Sequence, residues 1–272
     1  MAVIALSQQI GSRGIELGRL VAQRLDYRFL SGDEIVAEAA QRYGVSADQL
    51  LVFDLRTPHF WQRGKQDSHR YLAFVRAVML RELSSDRVVV AGRTLAHQTP
   101  STGCALRIRA TAPFAARVKQ TAADEKMDPH AAEKYVLAYD REMRERSNTL
   151  SSVDIEDSTL YDLIVNTSSH PLESIAALIA DGAQTLDRTA APAARESLRD
   201  SALAAQVHAA LLTHPKVRDA QITVRCTAGA VRLAGPGLVA PWDAMLIEVA
   251  RGVDGVTAVE VSPEEMPIPL TE

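Results

Sequence analysis

Val3-Ile4-Ala5-Leu6-Ser7-Gln8-Gln9-Ile10-Gly11-Ser12-Arg13-Gly14-Ile15-Glu16-Leu17 is the stretch on which the reading of the fold turns. Its opening apolar run, ending at Ser7, is the pattern of a short strand covered on both faces. Leu17, Leu20, Val21, Ala22 and Leu25 then recur at helical spacing. The segment reads as strand, glycine loop, helix. Glycines at such a junction let backbone N–H groups approach an anion, and the helix N-terminus adds partial positive charge. A phosphate site at Gly11, Ser12, Arg13 and Gly14 is the functional expectation; a tight βα turn is the plainer one. The pattern G-x-x-x-x-G-K-[ST] is not met, because Ile15 and Glu16 stand where its lysine and magnesium-binding hydroxyl are sought.

Outward from this loop, helical patterns are predicted over 33–43, 47–55 and 71–83, then a buried strand over 87–91 and a third over 104–110. Pro113 stands where a helix begins. A charged helical segment covers 131–146, a strand-like run 160–165 and an amphipathic helix 172–186. Strands alternating with helices predict an α/β fold, a parallel sheet with helices on both faces. Small residues and one proline at 189–194 mark a composition break, read as a linker. Beyond it a helix (198–212), strand (221–226), turn at Ala228-Gly229, strand (230–234), helix (240–249) and strand (257–261) form a small α-β-β-α-β unit. The expected division is 1–186, a linker at 187–197, and 198–272.

The 272 residues, 47% hydrophobic and 24% charged, fit two globular domains and exclude a disordered or collagen-like chain. A net charge of -4 gives no global positive field for nucleic acid or an anionic membrane. Cys104 and Cys226 lack the close spacing of a zinc knuckle or redox pair and read as buried small hydrophobes. No transmembrane or secretory segment is read, so a cytoplasmic location is expected.

The loop Ser7 to Leu17 resembles the S-R-x-x-G-S-G-G-R-E-I loop of the cytidylate-kinase-like family, and other pieces match in order. Leu25-Asp26-Tyr27-Arg28-Phe29-Leu30 is similar to that family's L-G-Y-x-F-Y. Val89-Val90-Ala91-Gly92-Arg93-Thr94-Leu95-Ala96 is similar to its V-I-V-G-R-G-A, and Leu160-Tyr161-Asp162-Leu163-Ile164-Val165-Asn166-Thr167 to its L-Y-D-L-V-I-N-T. Ala138-Tyr139-Asp140-Arg141-Glu142, with Arg144 and Arg146, is similar to its lid segment. The departures are Gln8 for the early Arg, Arg13 for the second loop glycine and Ile15 for the following basic residue. Arg13 either grips phosphate in their stead or blocks the nucleotide.

The resemblance implies a P-loop nucleoside monophosphate kinase fold over 1–186. It implies phosphoryl transfer from ATP, with Mg²⁺, to a pyrimidine monophosphate of the CMP or dCMP kind. On it, Arg93 holds the acceptor phosphate and Arg141, Arg144 and Arg146 form a lid over the transferring group, with Arg117 a further candidate. The plainer readings are a surface arginine at a strand end and a solvated helix face paired with Glu142 and Glu145. The alternative function is a non-catalytic nucleotide-binding regulator. No metal-ligand set is read among the histidines or at Asp154, Glu156 and Asp157. Asp200 to Pro263 resembles a BON domain, a small bacterial module, carried by Ile222-Thr223-Val224, Gly229-Ala230-Val231-Arg232-Leu233-Ala234-Gly235 and the segment from Gly252 to Val259. That resemblance implies a small ligand or protein partner for the C-terminal unit.

Overall fold

The computed structural model describes residues 2–46, 50, 65–93, 95–217, 222–235 and 242–262. β1 (Val3–Gln8) is followed by α1 (Gly14–Leu25), β2 (Arg28–Ser31), α2 (Gly32–Tyr43), α3 (Lys65–Leu83), β3 (Val88–Gly92), α4 (Leu95–Gln98) and β4 (Ala105–Thr111). Then come α5 (Phe114–Asp124), α6 (Pro129–Ser151), a 3₁₀ turn (Ser158–Leu160), β5 (Leu163–Asn166) and α7 (Leu172–Thr189). The chain continues through α8 (Pro192–Thr213), β6 (Thr223–Thr227), β7 (Ala230–Ala234), α9 (Trp242–Arg251) and β8 (Ala258–Ser262).

The first five strands form one parallel sheet in the order β2-β3-β1-β4-β5. Alternation along its strands divides the core in two. Ile4 and Leu6 of β1, Val89 and Ala91 of β3, and Leu106 and Ile108 of β4 pack under α1 and α7, against Leu17, Val21, Ile175 and Ile179. Val3, Ala5, Val88, Val90 and Ala105 face the other way, onto Ile35 of α2 and Phe74, Val78 and Leu80 of α3. Both faces are covered, as continuous apolar strands require. The expected α/β class with helices on both faces is the observed one.

Two expectations meet a different structure, and a third lies almost wholly outside the described residues. β2 lies in a segment not read as a strand: it has four residues, sits at the sheet edge and is only partly buried, so it carries no apolar run. The helix read at 47–55 lies, except for Leu50, outside the described residues. The stretch expected as a linker is the end of α7, the two residues Ala190 and Ala191, and the first turns of α8. Its composition misleads for a physical reason. Alanine is the best helix former, and Pro192 opens the helix at the first position, where its missing N–H costs nothing.

A smaller sheet, β6-β7-β8, pairs β6 with β7 antiparallel and β7 with β8 parallel. Val231, Leu233, Leu246 and Ala250 pack there with Val207 and Leu211 of α8. The opposite side of α8 presents Leu198, Ala202, Ala205 and Ala209 to the core around α3. One helix thus serves two cores, and the Cys104 thiol donates to the Ala194 carbonyl at 3.3 Å near its start. Leu198 is 3% exposed, so Leu198→Ala should cost about 2–4 kcal/mol, removing transfer energy and leaving a cavity. Urea unfolding should show this loss in the transition that melts the five-stranded sheet; a loss confined to the smaller sheet would contradict the shared packing.

Candidate nucleotide site

The parallel register brings the carboxyl ends of the strands together. Ser7 lies opposite Gly92 of β3 and Arg109 of β4, and Ser31 opposite Ala91. Gln8 and Arg93 therefore leave the sheet side by side, at the end where open α/β sheets place ligands. The Ser7 hydroxyl accepts the Ala96 N–H at 2.8 Å and ties the start of α4 to β1.

The glycine loop is held from beneath. The Ser12 hydroxyl, fully buried, donates to the Gln9 carbonyl at 2.7 Å and approaches the Ala110 carbonyl at 3.2 Å. Gly11 has φ +71°, and a Cβ there would stand 2.4 Å from the Arg117 carbonyl oxygen, so only glycine lets the loop lie on α5. Arg117, 5% exposed, donates through Nη1 and Nη2 to both Asp140 oxygens at 3.0 and 2.7 Å, and Nη1 reaches the Ile10 carbonyl at 3.4 Å. It clamps loop, α5 and α6 together.

The loop's chemistry differs from a lysine-bearing phosphate loop at each departure noted in the sequence. Gln8 Oε1 accepts the Ile15 N–H at 2.9 Å, so a side-chain oxygen caps the first turn of α1. Gly14 permits this, since a Cβ would lie 2.6 Å from that oxygen. Arg13 adopts the left-handed conformation (φ 57°) and pairs with Glu16 through Nε and Nη2 at 2.8 and 2.7 Å. This hydrogen bond holds the guanidinium above its ordinary pKa.

Two cavities meet at this end of the sheet. One, of about 370 Å³, is lined by Gly11, Arg13, Glu16, Arg93, Gln120 and Tyr139, among others. The second, of about 200 Å³, lies over β2 and α2 and is lined by Ser31, Asp33, Val36, Val75 and Gly92, among others. Gln8, Ile15, Arg19 and Arg93 belong to both walls. Arg93 lies 5.8 Å from the Tyr139 ring centroid, and Arg19 lies 4.5 Å from that of Phe29. Of the residues expected from the sequence, Gly11, Arg13 and Arg93 come together here. Ser12, Gly14 and Arg117 support them from behind.

The three helix arginines do not share a place. Arg141 and Arg144 are exposed on α6 and outside the walls of both cavities, with Arg144 Nε donating to the Asp140 carbonyl at 3.3 Å. Arg146, 5% exposed, donates to Glu142 at 3.0 Å, and burial pushes its pKa down. Arg19 and the Gln8 cap were not foreseen; Arg19 three positions after Glu16 on the first turns of α1 was the available signal. Among the described residues, no three His, Cys, Asp or Glu side chains gather as a metal site, and no helix is long and apolar enough to cross a membrane.

A family model described as cytidylate kinase-like matches residues 3–169. The cytidylate kinase of Staphylothermus marinus is 25% identical over 173 residues, covering 64% of this chain and 91% of its own. That of Thermoplasma acidophilum is 23% identical over 186 residues, covering 68% and 94%. A solved structure from Eubacterium ventriosum, described as an uncharacterized protein, superimposes with a TM-score of 0.52 at 12% identity. The match covers 68% of this chain and 98% of that one, a likeness of fold.

Proposed function

Since the chain belongs to the cytidylate kinase-like family, we propose that the paired cavities hold the two nucleotides of a phosphoryl transfer. ATP would lie against the glycine loop, and a pyrimidine monophosphate of the CMP or dCMP kind over β2 and α2. The observation that carries this reading is Arg93, set on the wall common to both cavities. There its guanidinium can bridge oxygens of the acceptor phosphate and the incoming phosphoryl group.

In the transfer, the γ-phosphorus bonds to an oxygen of the monophosphate as its bond to the β,γ-bridging oxygen breaks. Catalysis of this kind is positioning plus charge stabilisation. Arg93 and Arg19 would supply positive charge from the shared wall, and Arg13 from the loop. The Arg13–Glu16 pair is exposed and worth at most about 1 kcal/mol, so a phosphate can displace Glu16 from it. Mg²⁺ binds through one or two carboxylates plus substrate phosphates, and Glu16 and Asp124 line the ATP cavity and fit that demand. When bound it neutralises phosphate charge. Arg141 and Arg144 would join only when α6 moves toward the loop.

One observation favours a second reading, a nucleotide-binding regulator without turnover. The Gln8 cap occupies an amide that a phosphate would otherwise receive, and no lysine replaces it. The C-terminal unit, which resembles a BON domain, would then report occupancy to a ligand or partner.

Calorimetry with ATP, with and without Mg²⁺, followed by a coupled assay on CMP, dCMP and UMP, decides between them. Binding with turnover supports the kinase. Binding without turnover on any monophosphate supports the regulator, and absence of binding overturns both. Arg13→Ala should weaken ATP binding about 5-fold, the loss of one charge-assisted contact of roughly 1 kcal/mol at an open site. Tighter binding in that variant would identify Arg13 as an obstruction.

A further inference from the structure

The largest cavity among those described lies away from the glycine loop. It is a groove of about 740 Å³ between α3, α8 and the edge strand β6. Its floor is a stripe of small residues on α8, with Ala193, Ser197, Ser201 and Ala204 at helical spacing. The small side chains leave the space between the β6 edge and α3 unfilled.

Arg76 of α3 and His208 of α8 face each other at one end. Arg76 is partly buried in the groove wall, and desolvation lowers its pKa. Among the described residues, no hydrogen bond or ion pair reaches its guanidinium. The buried arginines discussed above each have a carboxylate: Arg117 has Asp140 and Arg146 has Glu142. A desolvated guanidinium without a partner is costly, and such charges are ordinarily paired. The carboxylates of the groove do not serve it. Asp200 accepts the Ala228 and Gly229 N–H groups at 2.9 and 3.3 Å and so holds the β6–β7 turn. Glu196 lies three turns along α8 from His208, about 18 Å away at 1.5 Å per residue.

We propose that this groove binds a small molecule bearing one oxyanion group, phosphoryl or carboxylate, which Arg76 grips with His208 beside it. The volume suits a metabolite rather than a bare ion. Glu196 and Asp200 at the far end repel a second negative charge, so the ligand is anionic at one end only. Burial and the Arg76 charge push His208 down to about 4, so the imidazole is neutral near pH 7. The other charged or titratable groups around it are Glu196 and Asp200 from α8 and Arg225 and Cys226 from β6. An oxyanion beside Arg76 offsets the charge that disfavours the imidazolium, so binding should raise the His208 pKa. The proposal does not rest on the nucleotide reading.

The test uses the full chain, with inorganic phosphate and acetate as separate probes in chloride buffer. NMR of the His208 ring, assigned with His208→Gln, should show resonances that shift on titration and an apparent pKa that rises. Response to phosphate alone selects a phosphoryl ligand; response to acetate alone selects a carboxylate. Arg76→Met and the milder Arg76→Gln should abolish the response, whereas Arg93→Ala should keep it. Without anion, Arg76→Met should raise Tm, because it removes an unpaired, partly desolvated charge, and phosphate should then raise the Tm of Arg93→Ala but not of Arg93→Ala combined with Arg76→Met. Ring resonances unmoved by either probe overturn the site. So do a response that survives in both Arg76 variants and a lower anion-free Tm in both of them.

Discussion

Arg117→Met is expected to lower unfolding free energy by about 3–5 kcal/mol, the range for removing one partner of a buried ion pair. The size follows from the geometry left behind. Arg117 and Asp140 have side chains 6% and 24% exposed and share two hydrogen bonds, so the methionine leaves a carboxylate without its donors inside the protein. Asp140→Leu combined with Arg117→Met should recover much of the loss, since no charge remains to be satisfied. Equilibrium urea unfolding of the two single variants and the double variant measures the coupling. If the single changes simply add, the pair is not the clamp described. Arg117 also touches the Ile10 carbonyl, so ATP affinity should fall in the single variant even where the fold survives.

Arg93→Ala should reduce kcat/KM by roughly 10²–10³, within the range for truncating one partner of a desolvated, hydrogen-bonded charge pair. Most of the effect should appear as a raised KM for the monophosphate, because Arg93 would contact the acceptor phosphate before the reaction starts. Arg144→Ala gives the contrast. Its side chain is exposed and lies on the Asp140 carbonyl, so it would act only after α6 moves, and its loss should lower kcat with little change in KM. Steady-state kinetics with CMP separates the two. An unchanged kcat/KM in Arg93→Ala would detach the shared wall from the chemistry.

The fold was legible where burial on both faces forced continuous apolar runs. Val3 to Leu6 and Val88 to Ala91 announce themselves as interior strands, and Gly11 and Gly14 announce the turn between β1 and α1. β2 was not legible, because an edge strand of four half-covered residues leaves no periodic trace. Ala190 to Ala194 was legible as a break but not as the start of a helix, since alanine and proline are equally at home in a linker and at a helix N-terminus. At the site, Arg93 could be placed from its position after a buried strand. The pairing of Arg146 with Glu142, four positions back on the same helix, could be read as well, but not its burial; the destination of Arg117 could not, because its partner Asp140 is settled by packing between α5 and α6. Arg76 carried no signal at all: an arginine amid the apolar residues of α3 reads as solvent-facing until α8 is seen beside it.

Two neighbouring residues of α3 face different cavities, Val75 the one over β2 and α2 and Arg76 the groove against α8. A helix that forms a wall of both cannot shift for one occupant without altering the fit of the other. If each occupant shifts α3, binding at the two places would be linked. If an anion in the groove changes monophosphate affinity by some factor, the monophosphate must change affinity for that anion by the same factor. The sign of the effect depends on which position of α3 each occupant prefers, but its reciprocity does not. Each site would then report on the ligand of the other, with α3 as the part that couples them.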